Sequence, residues 1–456
     1  MLETRFPELV ETQPELVAHH FTEAGLTALA VGYWHRAGQR ATQRSAHVEA
    51  IAHLTKGLEL LKVLPDTPER VQHELTLLIA LGTPLLATRG YAATERRQIY
   101  TRAWELCQQM GETSQRFSVL FGLWQCYALG AEWQTARVVG EQLLSLAHHQ
   151  HDPALLLEAH RALGVNLLLL GEFAAARAHA EQGMTLYNPQ QHHVHAFLYG
   201  QDPGVTCCVW EAVALWVLGY PDQALAQSQA ALTLAQERSH SFSLAFVLGV
   251  TAVLYQYRRE VHLAHERVEA IMTLCTDQGF TFFLAWGTML RGWVLAEQGE
   301  EVGIAQICQG LTAYQATGSG FFRPYYLGLL AEAYAKEGQA EEGLSVLAEA
   351  LAVVHKTGER LYEAELYRLQ GELLLARSTH QTVEAEACFH QALNVARRQQ
   401  AKAWELRAAM SLSRLWQRQG KRDEARQLLA EVYNWFTEGF DTADLQEAKA
   451  LLAELT

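Results

Sequence analysis

Proline is scarce, with 10 in 456 residues, and 49% of the chain is hydrophobic against 19% charged. That balance excludes a disordered polypeptide and predicts a folded, ordered protein. The seven cysteines, at positions 107, 126, 207, 208, 275, 308 and 388, are odd in number and include no CxxC pair. They read as reduced, packed thiols, not as a disulfide framework or a zinc site. Lys and Arg total 36 against 50 Asp and Glu, a formal charge of −14, and the nearest approach to a basic run, ARRQQAK at 396–402, is short. Without a clustered positive field, nucleic acid is not an expected partner. No run of 18 or more apolar residues occurs, so no membrane partner is expected, and MLETRFPELVETQPEL lacks the basic start and apolar core of a signal peptide. The expected setting is the bacterial cytoplasm.

Catalytic signatures are missing too. No GxxxxGK[ST] loop is present to cradle phosphates, no GxS-type elbow to present a nucleophile, and no βαβ pattern to carry the paired aspartates of a nucleotidyl cyclase. The histidine runs His19/His20, His148/His149/His151 and His192/His193/His195 offer few carboxylates and no cysteine at helical i,i+4 spacing, Glu23 to His19 and Asp152 to His148 among them, a poor geometry for a defined metal site. They read as solvated loop or helix-end residues, with His19 and His20 split between a packed and an exposed side. Cys207 and Cys208, within CCVWEAVALW, read as buried structural thiols. The expectation is a non-enzyme without cofactor or metal.

What is present is a count. In AHRALGVNLLLLGEFAAARAHAEQGMTLY (159–187) apolar and small residues recur three and four apart on both sides of Gly171, the pattern of two amphipathic helices joined by a tight turn. Equivalent turns fall at Ala131, Gly171, Gly219, Arg259, Gly299, Gly338 and Gly420, with a less clean one near 377. Successive differences are 171−131=40, 219−171=48, 259−219=40, 299−259=40 and 338−299=39. A small residue follows five positions after most turns: Ala136, Ala176, Ala224, Ala264, Gly343 and Ala425. Each such hairpin leaves an apolar face that only its neighbour can cover, which predicts an α-solenoid.

The small and aromatic positions, Gly164, Leu167, Ala176 and Gly183 in one unit and Ala331, Tyr334, Gly343 and Ala350 in another, resemble the tetratricopeptide repeat (TPR), with helices about one turn longer than usual. The fold expected from this resemblance is all-α, a right-handed superhelical solenoid of hairpins with a period of about 40 residues. One continuous array is expected over 1–456: N-terminal helices in 1–63, repeats in 68–187, an inserted loop at 188–204, and repeats with a C-terminal capping helix in 205–456. Over nearly its whole length the chain also resembles the repeat region of bacterial signalling proteins in which a class III adenylate/guanylate cyclase or other output domain precedes a STAND-type ATPase. The resemblance rests on PELVAHHFTEAGLTALAVGYWHRAGQRA, GEFAAARAHAEQG, YGQDPGV, LGYPDQALA and GKRDEARQLLAEVYNWFTEGFDTADLQEAKALL. It implies a sensor or scaffold that binds a protein or peptide partner, its own ATPase or cyclase modules among them.

In TPR proteins the first helix of each unit lines a concave groove. Carrying those positions over selects Glu158, Arg161 and Trp216, then Tyr257, Trp286, Met289 and Trp293, and finally Tyr325 and Glu332. Two readings of this aromatic stripe stand side by side: helix-packing core, or anchors for a peptide, a neighbouring domain or a small ligand. The surplus of eight residues between Gly171 and Gly219 falls in NPQQHHVHAFLYGQDPG. Its apolar centre, with Phe197 and Tyr199, and its Asp202-Pro203-Gly204 turn predict a segment that tucks back onto the array, either sealing a gap or closing over a pocket.

Overall fold

A computed structural model describes residues 12–89, 94–111, 113–378 and 380–456. Among the described residues there are 24 α-helices and no strand. After α1 (Pro14–Glu23) they run as pairs: α2 (Thr27–Gln43) with α3 (His47–Leu61), α4 (Pro68–Arg89) with α5 (Thr94–Met110), α6 (Arg116–Leu129) with α7 (Trp133–Gln150), and α8 (Pro153–Leu169) with α9 (Phe173–Leu186). Two short helices, α10 (Pro189–His192) and α11 (His195–Tyr199), interrupt the series. It resumes with α12 (Pro203–Leu218) and α13 (Pro221–Arg238), α14 (Ser241–Tyr257) and α15 (Val261–Gln278), α16 (Thr281–Glu297) and α17 (Val302–Ala316), and α18 (Arg323–Lys336) and α19 (Ala340–Thr357). The last pairs are α20 (Glu363–Arg377) with α21 (Thr382–Gln399) and α22 (Lys402–Arg418) with α23 (Arg422–Tyr433), followed by α24 (Ala443–Glu454). This is a TPR-like α-solenoid.

The turn positions read from sequence carry a common backbone signature. Ala131, Gly171, Gly219, Arg259, Gly299, Gly338 and Gly420 all have φ between 58° and 94°, the left-handed conformation that ends a helix and releases its last carbonyls to the next turn. A second left-handed series, including Ser239, Gly279, Gly318, Gly358 and Gln400, marks the return turns from each outer helix to the next inner one. The two series interleave, so the phase of the repeat is written in local backbone preference.

Inner and outer helices differ in composition because they differ in burial. All sixteen residues of α12 are buried, which accounts for its nearly unbroken apolar run PGVTCCVWEAVALWVL. Outer α15 buries only Ala264, Val268, Ile271 and Cys275, one stripe three to four residues apart. A single hydrophobic core links Leu86 to Trp404, and a second spans Ala385 to Leu455. The N-terminal helices instead hold several small clusters.

The solenoid also closes on itself. Gly320 N–H, before α18, donates to Leu129 O at the end of α6 at 2.9 Å, and Arg360 N–H, before α20, donates to Leu169 O at the end of α8 at 2.7 Å. The separations are equal, 320−129=191 and 360−169=191. Further along, Gly219 after α12 abuts Lys402 at the start of α22, and Arg259 after α14 reaches Asp444 in α24 at 3.4 Å. Counted over the inner helices, each contact joins a hairpin to the one five units later. One superhelical turn is therefore about five hairpins, and successive turns touch. The outer layer repeats the contact: Glu438 accepts from Asp222 N–H at 2.9 Å and Gln223 N–H at 3.1 Å, capping the N-terminus of α13. A β-carbon at Gly219 would lie 2.6 Å from Trp435 and 2.8 Å from Lys402, so this glycine serves both the left-handed turn and the close approach of the turns.

Candidate partner-binding chamber

Because the turns touch, the middle of the superhelix interior is filled. Phe321 and Phe322 stack at 4.4 Å, Phe322 meets Tyr325 at 5.9 Å, Tyr325 meets Tyr257 at 5.7 Å, Tyr257 meets Trp404 at 5.2 Å, and Trp404 meets Trp216 at 4.7 Å. Trp286, Met289 and Trp293 are buried beside this column. Of the groove positions selected from sequence, Trp216, Tyr257, Trp286, Met289 and Tyr325 thus sit within the core. Arg407 stitches the column to the C-terminal helices. Its guanidinium lies over Trp404 at 5.2 Å and Trp216 at 5.4 Å, donates to Tyr257 O, and pairs with Asp444 at 2.8 Å and Glu365 at 3.3 Å.

At the other end, the inserted segment packs onto α6 and α8. His195 in α11 meets Glu158 at 2.8 Å, Glu158 pairs with Arg161 at 2.6 Å, and Arg161 lies over the Phe121 ring at 4.8 Å. Tyr199 packs on Phe121 at 4.7 Å while Gln125 holds its carbonyl at 2.9 Å. Asp202 caps α12 through Val205 N–H at 3.1 Å and accepts the Tyr187 hydroxyl at 3.1 Å; burial pushes its carboxyl above the usual range. Phe197 is only partly covered, edge-on to His240 at 5.4 Å. Asn188 ends no helix itself but caps α10, accepting from Gln190 and Gln191 N–H. The histidines separate accordingly. His148, His149, His151 and His193 are exposed, whereas His192 and His195 are buried, contrary to the reading of solvated residues, because the segment folds inward. His19 and His20 are both exposed and do not divide between two sides. The apolar space left beside the segment, between Arg161, Trp210 and Trp286, is about 50 Å³, far below a metabolite's volume. Cys207 and Cys208 are buried, and burial pushes the Cys208 thiol up to about 12. Burial disfavours the thiolate at both positions.

A further space lies on the inner side. A chamber of about 510 Å³ opens among α14, α16, α18, α20, α22 and α24, with Trp293, Leu369 and Met410 as its apolar wall. Five cations and six carboxylates line the rest. The cations are all paired: Lys336 with Glu297 at 2.5 Å, Arg368 with Glu365 at 2.7 Å and Glu372 at 3.6 Å, Arg407 as above, and Arg259 and Arg414 sharing Glu447 at 3.1 and 3.2 Å. Glu332 is the carboxylate left over. Among the described residues no cation stands within ion-pair distance of it, and its partner is the Trp293 indole N–H, donating at 3.3 Å. Burial, reinforced by Glu365, pushes the Glu332 carboxyl up to about 7. Burial also acts on Glu365, but Arg368 and Arg407 outweigh it and hold that carboxyl below the usual range.

Of the sequence-selected residues, the chamber brings together Trp293 and Glu332. Arg259, Arg368, Arg407, Asp444 and Glu447 were not selected. Their sequence signal is a charged residue facing inward on a helix or, for Arg259, at a turn, and it becomes visible only once the superhelical phase is known.

No family model matches the chain. An uncharacterized protein of Rhizobium meliloti (strain 1021) is 24% identical over 403 residues, an alignment covering 88% of this chain and 39% of that protein. The chain thus spans well under half the length of this relative. Among solved structures, a Rap protein complexed with competence and sporulation factor superposes with a TM-score of 0.54 at 11% identity, covering 94% of this chain and all of the other. That likeness is one of fold. A STAND protein with a tetratricopeptide repeat sensor from Pyrococcus horikoshii covers 79% of this chain and 55% of its own at 13% identity, but its TM-score of 0.37 carries no argument. Among the described residues no helix is long and apolar enough to cross a membrane.

Proposed function

We propose that the chain is a non-catalytic, TPR-like interaction module of a bacterial signalling protein, and that it receives a protein or peptide partner in the C-terminal chamber. The partner on this reading is a separate polypeptide or an ATPase or cyclase module of the same protein. The observation that carries the reading is the contrast along one interior: aromatic side chains fill the middle, while the last turn keeps an open, charged space of about 510 Å³. A preformed cavity on a rigid array lowers the ordering cost of recognition. The Rap protein of the same fold was solved in complex with competence and sporulation factor, which supports a fold that receives partners. The alternative of a small-molecule sensor site beside the inserted segment finds little room there.

The test is site-specific photo-crosslinking in the source cell. A photoreactive residue replacing Lys336, on the chamber rim, should capture a discrete partner that one replacing Glu181, on the outer helices, does not. Capture from position 181 alone would refute the chamber as the binding surface.

A further inference from the structure

The chamber has a charge defect, and the defect has a location. With five cations each committed to a carboxylate, the sixth carboxylate, Glu332, is left with one indole N–H at 3.3 Å. An unpaired carboxylate in a partly dry space is unfavourable, and burial, reinforced by Glu365, raises its affinity for a proton. The same chamber is lined by the apolar side chains of Trp293, which touches Glu332, and of Leu369 and Met410. An acidic end-point next to an apolar surface matches a long side chain that buries a hydrocarbon stem and carries a cationic head. The chain's formal charge of −14 favours approach of a basic segment over an acidic one.

We infer that the chamber is a receptor for a basic side chain, lysine or arginine, presented by the partner polypeptide, with Glu332 as the ion-pair acceptor and Trp293, Leu369 and Met410 as the seat for the stem. This rests on the chamber being the binding site and adds the chemistry of what enters it. Glu332 gains the cation that its neighbours already have, so the occupied chamber is charge-balanced. The Trp293 indole fixes the carboxylate and offers its ring edge to the methylenes.

The experiment is selection of a displayed library of random heptapeptides on the full chain and on Glu332→Gln, with melting temperatures of both measured alongside. The wild-type chain should enrich peptides carrying lysine or arginine at one fixed position. Glu332→Gln, which keeps the shape and removes the charge, should lose that enrichment at least tenfold while melting no lower than wild type. Enriched peptides without a basic residue, persistence of the basic preference in Glu332→Gln, or failure of any peptide to enrich would overturn the inference. Competition with cadaverine separates the two sources of a cation: a free diamine that displaces the peptides at equal concentration would assign the site to small amines and overturn the polypeptide part. Crosslinking from position 336 would still report a partner if only the charge rule failed.

Discussion

The middle and the last turn of the same interior are built from equivalent positions on successive inner helices, yet one is an aromatic column and the other a charged chamber. The difference lies in what sits five hairpins away. Inner helices α6, α8, α12 and α14 each have a later element seated on their C-terminal ends, so the side chains beneath are cut off from water and are mostly apolar. The inward positions of α16, α18, α20 and α22 that line the chamber carry Glu297, Glu332, Arg368 and Arg414. Closure decides chemistry.

Arg407 joins the two regions, so its removal should break the comparison most severely. Arg407→Ala leaves buried Glu365 to Arg368 alone and Asp444 to Arg259 alone, strips the Tyr257 carbonyl of its donor, and should cost up to about 3–5 kcal/mol in chemical denaturation. A loss below about 1 kcal/mol would show that the column and the chamber are not coupled through this guanidinium.

A smaller effect is expected from Glu359, buried between the turns beside Trp133 and the Phe322 backbone, where desolvation pushes its carboxyl up to about 8. The fold therefore favours the protonated acid, whereas the unfolded chain releases that proton near its ordinary value of 4.5. Stability should accordingly fall as pH rises between about 4.5 and 8, at no more than about 1.4 kcal/mol per pH unit from this group. Glu359→Gln should flatten that decline in pH-dependent melting; an unchanged slope would remove Glu359 as its source.

The smallest effect belongs to the chamber rim. Arg414 and Glu447 are both about 40% exposed, and Arg414→Ala should change stability by less than about 1 kcal/mol. A larger loss would mean that the chamber is held together by its charges and is not an open space within an independently stable frame.

Much of the fold was legible because its signals are local. A left-handed turn and a small residue five positions later leave their mark within one unit, and Gly171, Gly219 and Arg259 could be placed without any tertiary information. Closure was not legible, because it depends on the summed twist of five units and no single residue encodes it. For the same reason the stripe containing Trp216, Tyr257 and Trp286 was open to two readings in the sequence, and lies in the core once the turns meet. Glu332 and Trp293 came from groove positions carried over with the TPR resemblance, while Arg368 and Arg407 look from sequence like ordinary surface charges, spaced as Glu365/Arg368 is on a solvated helix. The inserted segment was legible as a tucked element from its apolar centre. Its anchor, His195 on Glu158, was hidden because the two residues lie 37 apart.

The central claim is the five-hairpin closure, and amide hydrogen exchange at the loops before α18 and α20 tests it most directly. Gly320 and Arg360 sit in connecting segments whose amides would exchange within seconds if the array were open. Their bonds to Leu129 and Leu169 carbonyls predict protection comparable to the inner helices. Exchange at ordinary loop rates would mean that the turns do not touch, and the division into a dry column and an open chamber would go with them.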